Sequence, residues 1–125
     1  MRKSPARYPG LAPIDAYGNG GFRFAEMSHR GSILCLPSGM YAWDVAEPAT
    51  LIPDRFEAVF AERRAVDVLL LGTGRTQVLP GAELRQFFAE AEIVVEVMDT
   101  GAACRTYNVL LAEGRRVAAA LIAVE

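Results

Sequence analysis

The stretch VMDTGAACRTYNVLLAEGRRVAAALI, residues 97–122, combines a loop, a helix and a strand in one unit. Thr100 is a good N-cap and Gly114 a good C-cap, so the stretch predicts a helix between them. The segment that follows, residues 116–124, is apolar from Val117 onward and predicts a strand that closes a sheet. No side chain of the stretch forms an acid/base pair, a metal cage or a nucleophile with its base. The stretch therefore predicts a fold and leaves the chemistry open.

Two more helix–strand units precede this stretch. Phe56, Val59 and Phe60 have the spacing of an amphipathic helix that begins near Pro53. The strand predicted after it is apolar except for Asp67, as expected when helices cover both faces of a parallel sheet. The elements predicted after Pro53 are, in order, a helix, a strand over residues 66–71, a helix over 81–91 and a strand over 93–98.

The first third of the chain has the pattern of β structure. Asn19 and Gly20 tolerate the positive φ of a tight turn, and the alternation over residues 22–24 suits a strand after it. The other predictions for this third are a flexible arm over residues 1–10 that is ordered only locally, a break over 26–31, and strands over 32–37 and 41–45. Together the elements predict one α/β domain over residues 11–125, whose later strands are largely parallel.

Composition excludes several classes of protein. The 125 residues are 52% hydrophobic and 22% charged, which is ordinary for a folded soluble domain and excludes wholesale disorder. A net charge of −2 gives no basic field for nucleic acid, although Arg2, Lys3 and Arg7 make the first residues locally positive. The apolar run at 117–124 is far shorter than the roughly 20 residues of a membrane-spanning helix. With two cysteines and no apolar signal segment, we expect a soluble, cytoplasmic protein.

The loops after the predicted parallel strands are the first place to look for a ligand, because ligands of open α/β sheets lie outside the carboxyl ends of strands. One loop offers Gly72, Thr73, Gly74 and Arg75, whose amides and guanidinium suit an anion. The loop lacks the spacing of a P-loop or a dinucleotide-binding fingerprint, and a close-packed exit from a strand explains it equally. The second loop supplies the other candidate ligand-binding residues, which are Asp99, Thr100, Arg105 and Asn108.

Asp99-Thr100-Gly101 also matches the active-site triplet of aspartic proteases, in which two carboxylates share a proton. In those enzymes the triplet lies early in the chain and precedes further strands. Here it lies near the end and precedes a helix. An aspartate beside a helix N-terminus is explained more simply by its favourable interaction with the helix dipole.

Nucleophile and metal sites have less support. Cys104 lies in the first turns of a predicted helix, where the dipole favours a thiolate, but a small buried residue is the simpler interpretation. The one histidine, His29, is predicted in a solvated polar loop with nothing to place it beside Cys104. We therefore expect no catalytic residue, no metal and no cofactor.

The aromatic residues are interpreted first as parts of the folded core. Tyr41 and Trp43 are expected in the core, with an exposed partner-binding patch as the alternative. Tyr107 is expected to pack its ring while its hydroxyl finds a partner, and Asn108 to bond a nearby backbone.

The chain resembles a small family of unknown function from bacteria and archaea that includes a mitochondrial assembly factor of respiratory complex I. The resemblance covers the chain from about Ile14 to its C-terminus, and its most specific part is residues 98–108. It implies a three-layer α/β domain around a mixed sheet, and it transfers no catalytic motif. The residues that carry it are Tyr17-Gly18, Gly21-Phe22-Arg23, Gly31-Ser32-Ile33-Leu34, Trp43, Leu70-Leu71-Gly72-Thr73-Gly74, Met98-Asp99-Thr100 and Ala102-Ala103-Cys104-Arg105-Thr106-Tyr107-Asn108.

Two functions from different classes follow. The first is a non-enzymatic interaction or assembly module with an unidentified protein partner, acting in solution or at a membrane surface. It predicts an exposed apolar or aromatic patch. The second is a domain, either a binding protein or an enzyme, that binds a small anion or nucleotide between residues 72–76 and 99–105. It predicts that Thr73, Arg75, Asp99 and Arg105 converge on one pocket.

Overall fold

The computed structural model of the chain describes residues 5–125, which form nine strands and three α-helices. The strands are β1 Tyr8–Pro9, β2 Ala16–Gly18, β3 Gly21–Phe24, β4 Met27–Arg30, β5 Ser32–Leu36, β6 Gly39–Trp43, β7 Val68–Gly72, β8 Val95–Met98 and β9 Val117–Leu121. The helices are α1 Glu57–Ala61, α2 Ala82–Glu90 and α3 Thr100–Ala112, with 3₁₀ turns at Pro48–Thr50, Pro53–Phe56 and Arg63–Ala65.

Six strands form a mixed sheet in the order β1-β6-β5-β9-β7-β8. Parallel pairing joins β7 to both β8 and β9, as predicted for the helix–strand units. The strands of the N-terminal third add antiparallel pairs on the other side of β9. Strands β2, β3 and β4 form a separate antiparallel sheet.

The large sheet is the middle of three layers. Alternate residues of its central strands face opposite sides: Leu69 and Leu71 pack with the residues of α1 and α2, whereas Leu70 packs with α3 and the small sheet. Burial of one leucine side chain stabilises the folded state by roughly 1.5–3 kcal/mol. A strand that is buried on both faces therefore stabilises the packing of both outer layers. The expected three-layer α/β architecture around a mixed sheet is confirmed.

The two turns of the small sheet explain one success and one error of the sequence interpretation. Asn19 and Gly20 have φ of 52° and 79° and join β2 to β3 in a tight hairpin, as their residue types predict. Ala25 and Glu26 have φ of 50° and 62° and join β3 to β4 in the same way. Because alanine and glutamate seldom adopt this backbone, residues 26–31 were predicted as a break, and β4 occupies that segment instead.

Other boundaries moved by a few residues. Helix α2 matches its prediction, but the helix predicted from Pro53 is a 3₁₀ turn followed by the five residues of α1. Part of the predicted arm is ordered, since Tyr8–Pro9 pairs with β6. Residues 1–4, which include Arg2 and Lys3, lie outside the described residues.

Candidate functional site

The loops at the carboxyl ends of β7 and β8 lie against each other, because the two strands are parallel neighbours. The Thr73 amide donates to the Met98 carbonyl at 3.0 Å. The Thr100 amide donates to the Gly74 carbonyl at 2.8 Å, and the Gly74 amide donates to the Thr100 hydroxyl at 2.9 Å. We call this hydrogen-bonded region, residues 72–78 and 98–102, the loop junction.

The threonine hydroxyls of the loop junction form hydrogen bonds with backbone groups. Thr100 is fully buried, and its hydroxyl donates to the Ile122 carbonyl at 2.7 Å while it accepts from Gly74. The buried Thr73 hydroxyl donates to the Thr76 carbonyl at 2.7 Å and accepts from the Val78 amide at 2.9 Å. Thr100 therefore fixes the chain where β7, β9 and α3 meet, and Thr73 fixes the loop that follows β7.

Asp99 is the N-cap of α3, and its carboxylate accepts from the Ala102 amide at 2.9 Å. The Ala103 amide donates to the Asp99 carbonyl, so three of the first amides of α3, including that of Thr100, already have acceptors. The prediction that Thr100 caps the helix is wrong, because Thr100 is the first helical residue. Two adjacent residues with good capping propensity cannot be ranked from sequence, and the buried bonds of Thr100 decide the choice.

The two arginines of the predicted site lie at its exterior. Arg75 is exposed, with its guanidinium 3.5 Å from the Glu125 backbone oxygen. Arg105 is exposed on α3. Gly72 ends β7 in close contact with Thr100 and Leu121. The structure therefore brings the two loops together, although most of their polar groups bond the chain itself, and anion binding there stays a prediction.

Tyr107 and Asn108 join α3 to the segment before β2. The Asn108 side chain donates to the Ile14 carbonyl and accepts from the Ile14 amide, both at 2.8 Å. The buried Tyr107 hydroxyl donates to the Ala12 carbonyl at 2.8 Å. The backbone role expected of Asn108 is seen directly, and as a ligand contact it stays a prediction.

The two cysteines are free and buried. Burial raises the pKa of Cys104 to about 12, with Arg105 opposing and Asp99 adding to the shift. Burial also raises the pKa of Cys35 above its ordinary range. Neither thiol is a ready nucleophile near neutral pH, which agrees with the interpretation of Cys104 as a small buried residue.

The prediction for His29 is wrong, since its side chain is buried in β4. Its Nε2–H donates to the Ser32 carbonyl at 3.0 Å, and its ring lies near Phe24. The error follows from the unexpected turn at residues 25–26, which places a strand where a polar loop was predicted. Within residues 5–125 no group of three or more His, Cys, Asp or Glu side chains is placed to hold a metal.

Tyr41 and Trp43 belong to the core, as expected. The Trp43 indole donates to the Arg55 carbonyl at 2.9 Å and packs edge-on against Phe56. These rings therefore do not form the exposed patch that was their alternative role.

The outer side of β8 is an open sheet edge. The Val94 carbonyl accepts from the Leu69 amide and the Met98 carbonyl from the Thr73 amide, so alternation turns the backbone groups of Val95 and Val97 away from the sheet. The Gln77 side chain donates to the Val97 carbonyl at 2.8 Å, which places Gln77 beside this strand, and Val78 and Leu79 follow it in the chain. Leu79, Val94 and Val78 are 70%, 59% and 40% exposed. We call β8 with these three side chains the β8 edge; it was not found from sequence, because exposure along an edge depends on strand order.

The chain is similar in sequence to several known proteins. Residues 14–122 match a family described as protein of unknown function (DUF498/DUF598). An uncharacterized protein of Rhodobacter capsulatus is 39% identical over 119 residues, which cover 93% of this chain and 90% of that protein. The NADH dehydrogenase [ubiquinone] 1 alpha subcomplex assembly factor 3 of Homo sapiens is 34% identical over 110 residues, covering 87% of this chain and 59% of that protein.

A solved structure is similar over nearly the whole chain. The crystal structure of an outer membrane protein from Bartonella henselae is 54% identical, with a TM-score of 0.91, and the match covers 95% of this chain and 100% of that one. Among residues 5–125, no helix has the length and apolar character needed to cross a membrane.

Proposed function

This chain belongs to the DUF498/DUF598 family of proteins of unknown function, and from that premise we propose that it is a non-enzymatic interaction module that binds another protein during assembly of a larger complex. Support comes from the human relative, whose name is that of an assembly factor. The chain spans about three fifths of the length of that relative, so the role is proposed for the shared domain.

The β8 edge is the observation that carries the proposal. An extended segment of a partner adds to an exposed strand by bonding its free amides and carbonyls, and neighbouring side chains give specificity. Here Val95 presents both backbone groups outward and Val97 presents its amide. Natural sheets usually protect such edges with charge, proline or a covering loop. Exposed Val78, Leu79 and Val94 beside this edge favour contact with a protein over permanent exposure to water.

The partner that fits this edge is a protein with an extended, partly apolar segment. Nucleic acid does not fit, because the chain has a net charge of −2. We propose a cytoplasmic location, with association at a membrane surface arising only through the partner. Fractionation of the source cells tests this location: recovery of the native protein in the outer membrane would contradict it.

The functional test is genetic rescue in the source organism. Deleting the gene should reduce the amount of the assembled NADH dehydrogenase seen on native gels, and the wild-type chain should restore it. Leu79→Asp and Val94→Asp should fail to restore it, because a carboxylate would be buried at the interface.

Ile52→Asp is the matched control. Ile52 is 42% exposed and precedes Arg55, which pairs with Asp44 just after β6, four strands away from β8. This variant should rescue like the wild type. Full rescue by all three aspartate variants would exclude the β8 edge as the interface, and normal NADH dehydrogenase in the deletion strain would exclude that complex as the target.

A further inference from the structure

The outer face of the small sheet contains a hollow of about 480 Å³, lined by β2, the turn after it, β3 and β4. This hollow is separate from the loop junction, and no function has been assigned to it above. Its lining includes Arg23 and Arg30 and contains no aspartate or glutamate. The surface is therefore concave and positive in a chain whose net charge is −2.

The register of the three strands explains the shape of the hollow. Residues directly opposite each other share a face, and Ala16 lies opposite Arg23 while Gly21 lies opposite Arg30. Gly18 pairs with Gly21 on the same face. The floor is thus made of alanine and glycine, and the two long arginine side chains stand on it at diagonal positions, roughly 7–8 Å apart at their base.

The floor is fixed by backbone packing. Gly21 is buried, and a Cβ at this position would collide with the backbone carbonyl of His29. A side chain larger than hydrogen would therefore push β3 away from β4 and distort the floor of the hollow.

The two guanidinium groups have N–H donors available for a ligand. Arg23 donates to the Ser28 hydroxyl at 3.2 Å, and the Arg30 guanidinium makes no hydrogen bond or ion pair with residues 5–125. The Glu125 carboxylate lies beside Gly20, in the turn at the rim, and the Arg75 guanidinium contacts the backbone oxygen of the same residue. A guanidinium presents a planar fork of donors that matches two oxygens of one phosphate group.

We propose that this hollow is a binding site for a small phosphorylated anion, with Arg23 and Arg30 each donating to phosphate oxygens over the glycine floor. A diphosphate group suits two forks at this spacing. The site goes beyond the proposed assembly function, and it uses a different surface from the β8 edge, so either proposal can fail alone.

The test is a titration of the ¹⁵N-labelled protein with inorganic pyrophosphate at constant ionic strength, followed by amide NMR shifts. The expected result is saturable shifts at residues 16–23 and 28–30. The combined variant Arg23→Gln/Arg30→Gln should raise the Kd by at least about tenfold, because two charge-assisted contacts are lost. Ala16→Trp should also weaken binding, since it fills the floor while both arginines remain.

Arg75→Gln and Arg105→Gln are the matched controls, because they remove the arginines of the candidate loops 72–76 and 99–105 and should leave the Kd unchanged. Shifts at residues 72–76 and 99–105, or a Kd unaffected by the Arg23/Arg30 variant, would overturn the proposal. A second arm uses vesicles of phosphatidylglycerol to separate a lipid headgroup from a free phosphate. Vesicle binding without a pyrophosphate response would also overturn it.

Discussion

The loop junction and the β8 edge lie on the same two strands and differ in how their polar groups are used. At the loop junction, the hydroxyls of Thr73 and Thr100 and the carboxylate of Asp99 all bond backbone groups. Along the outer side of β8, backbone groups face outward beside exposed apolar side chains. The difference teaches that the polar residues that resemble a binding motif stabilise the fold. Valines and a leucine that belong to no motif form the surface that is available to a partner.

Mutations in the two regions should have different effects on stability. A polar group buried without its partner costs roughly 1–3 kcal/mol, whereas substitutions on an exposed surface usually change stability by less than about 0.5 kcal/mol. Variants of the loop junction should therefore affect folding, and variants of the β8 edge should affect binding.

Thr100→Val should give the largest loss of stability. The substitution keeps the shape of the side chain but leaves the Gly74 amide and the Ile122 carbonyl without their partner. We expect the free energy of unfolding in urea to fall by about 3 kcal/mol. Thr106→Val on the same helix is the control and should change it by less than about 0.5 kcal/mol. Equal effects of the two variants would remove the distinction between the buried junction and the rest of α3.

Cys104 should make stability depend on alkaline pH. Its folded pKa of about 12 lies above the ordinary value of 9.0, so the unfolded chain loses the proton first. Its contribution is fully present below about pH 9 and is lost as pH rises toward 12, at about 1.4 kcal/mol per pH unit. Urea titrations at pH 8, 9.5 and 11 should show a shallower decline for Cys104→Ala than for the wild type. Parallel declines would mean that Cys104 is not buried in solution.

Asp99→Ala should cost about 1 kcal/mol in the free energy of unfolding, because the Ala102 amide loses its cap. Asp99→Asn should retain most of that stability, since the amide oxygen can still accept the bond. If instead the alanine variant were neutral and abolished binding of an anion, Asp99 would be a ligand residue.

Leu79→Asp and Val94→Asp should have the smallest effect on folding. Both side chains are mainly exposed, so each substitution should change the free energy of unfolding, measured in urea, by less than about 0.5 kcal/mol. A cooperative unfolding curve close to that of the wild type would keep the rescue experiment interpretable. A large loss of stability would show that these side chains pack within the monomer.

Sequence patterns predicted the regular elements where local chemistry is sufficient. The Asn19–Gly20 turn is the residue pair that a tight hairpin favours, and the apolar face of α2 gives a helix close to its predicted bounds. The turn at Ala25–Glu26 has the same backbone with atypical residues, so β4 and the burial of His29 were both missed.

The surfaces depend on strand order and register, which local patterns do not supply. Arg23 and Arg30 are seven residues apart in sequence, and only the pairing of β3 with β4 brings them to one hollow. Val94 flanks an open edge, and Gln77, two residues before Leu79, bonds that edge, because β8 is the last strand of the sheet. The loops of the predicted site could be placed from the parallel strands alone, but the bonding of their hydroxyls could not.

The most direct test of the proposed interface is photo-crosslinking in the source cells, with a photoreactive phenylalanine analogue at position 79 or at the control position 52. The account predicts one discrete adduct from position 79 and none from position 52, with the adduct lost when Val94→Asp is added. Absence of an adduct at position 79, or the same adduct from both positions, would contradict the β8 edge as the surface through which this protein works.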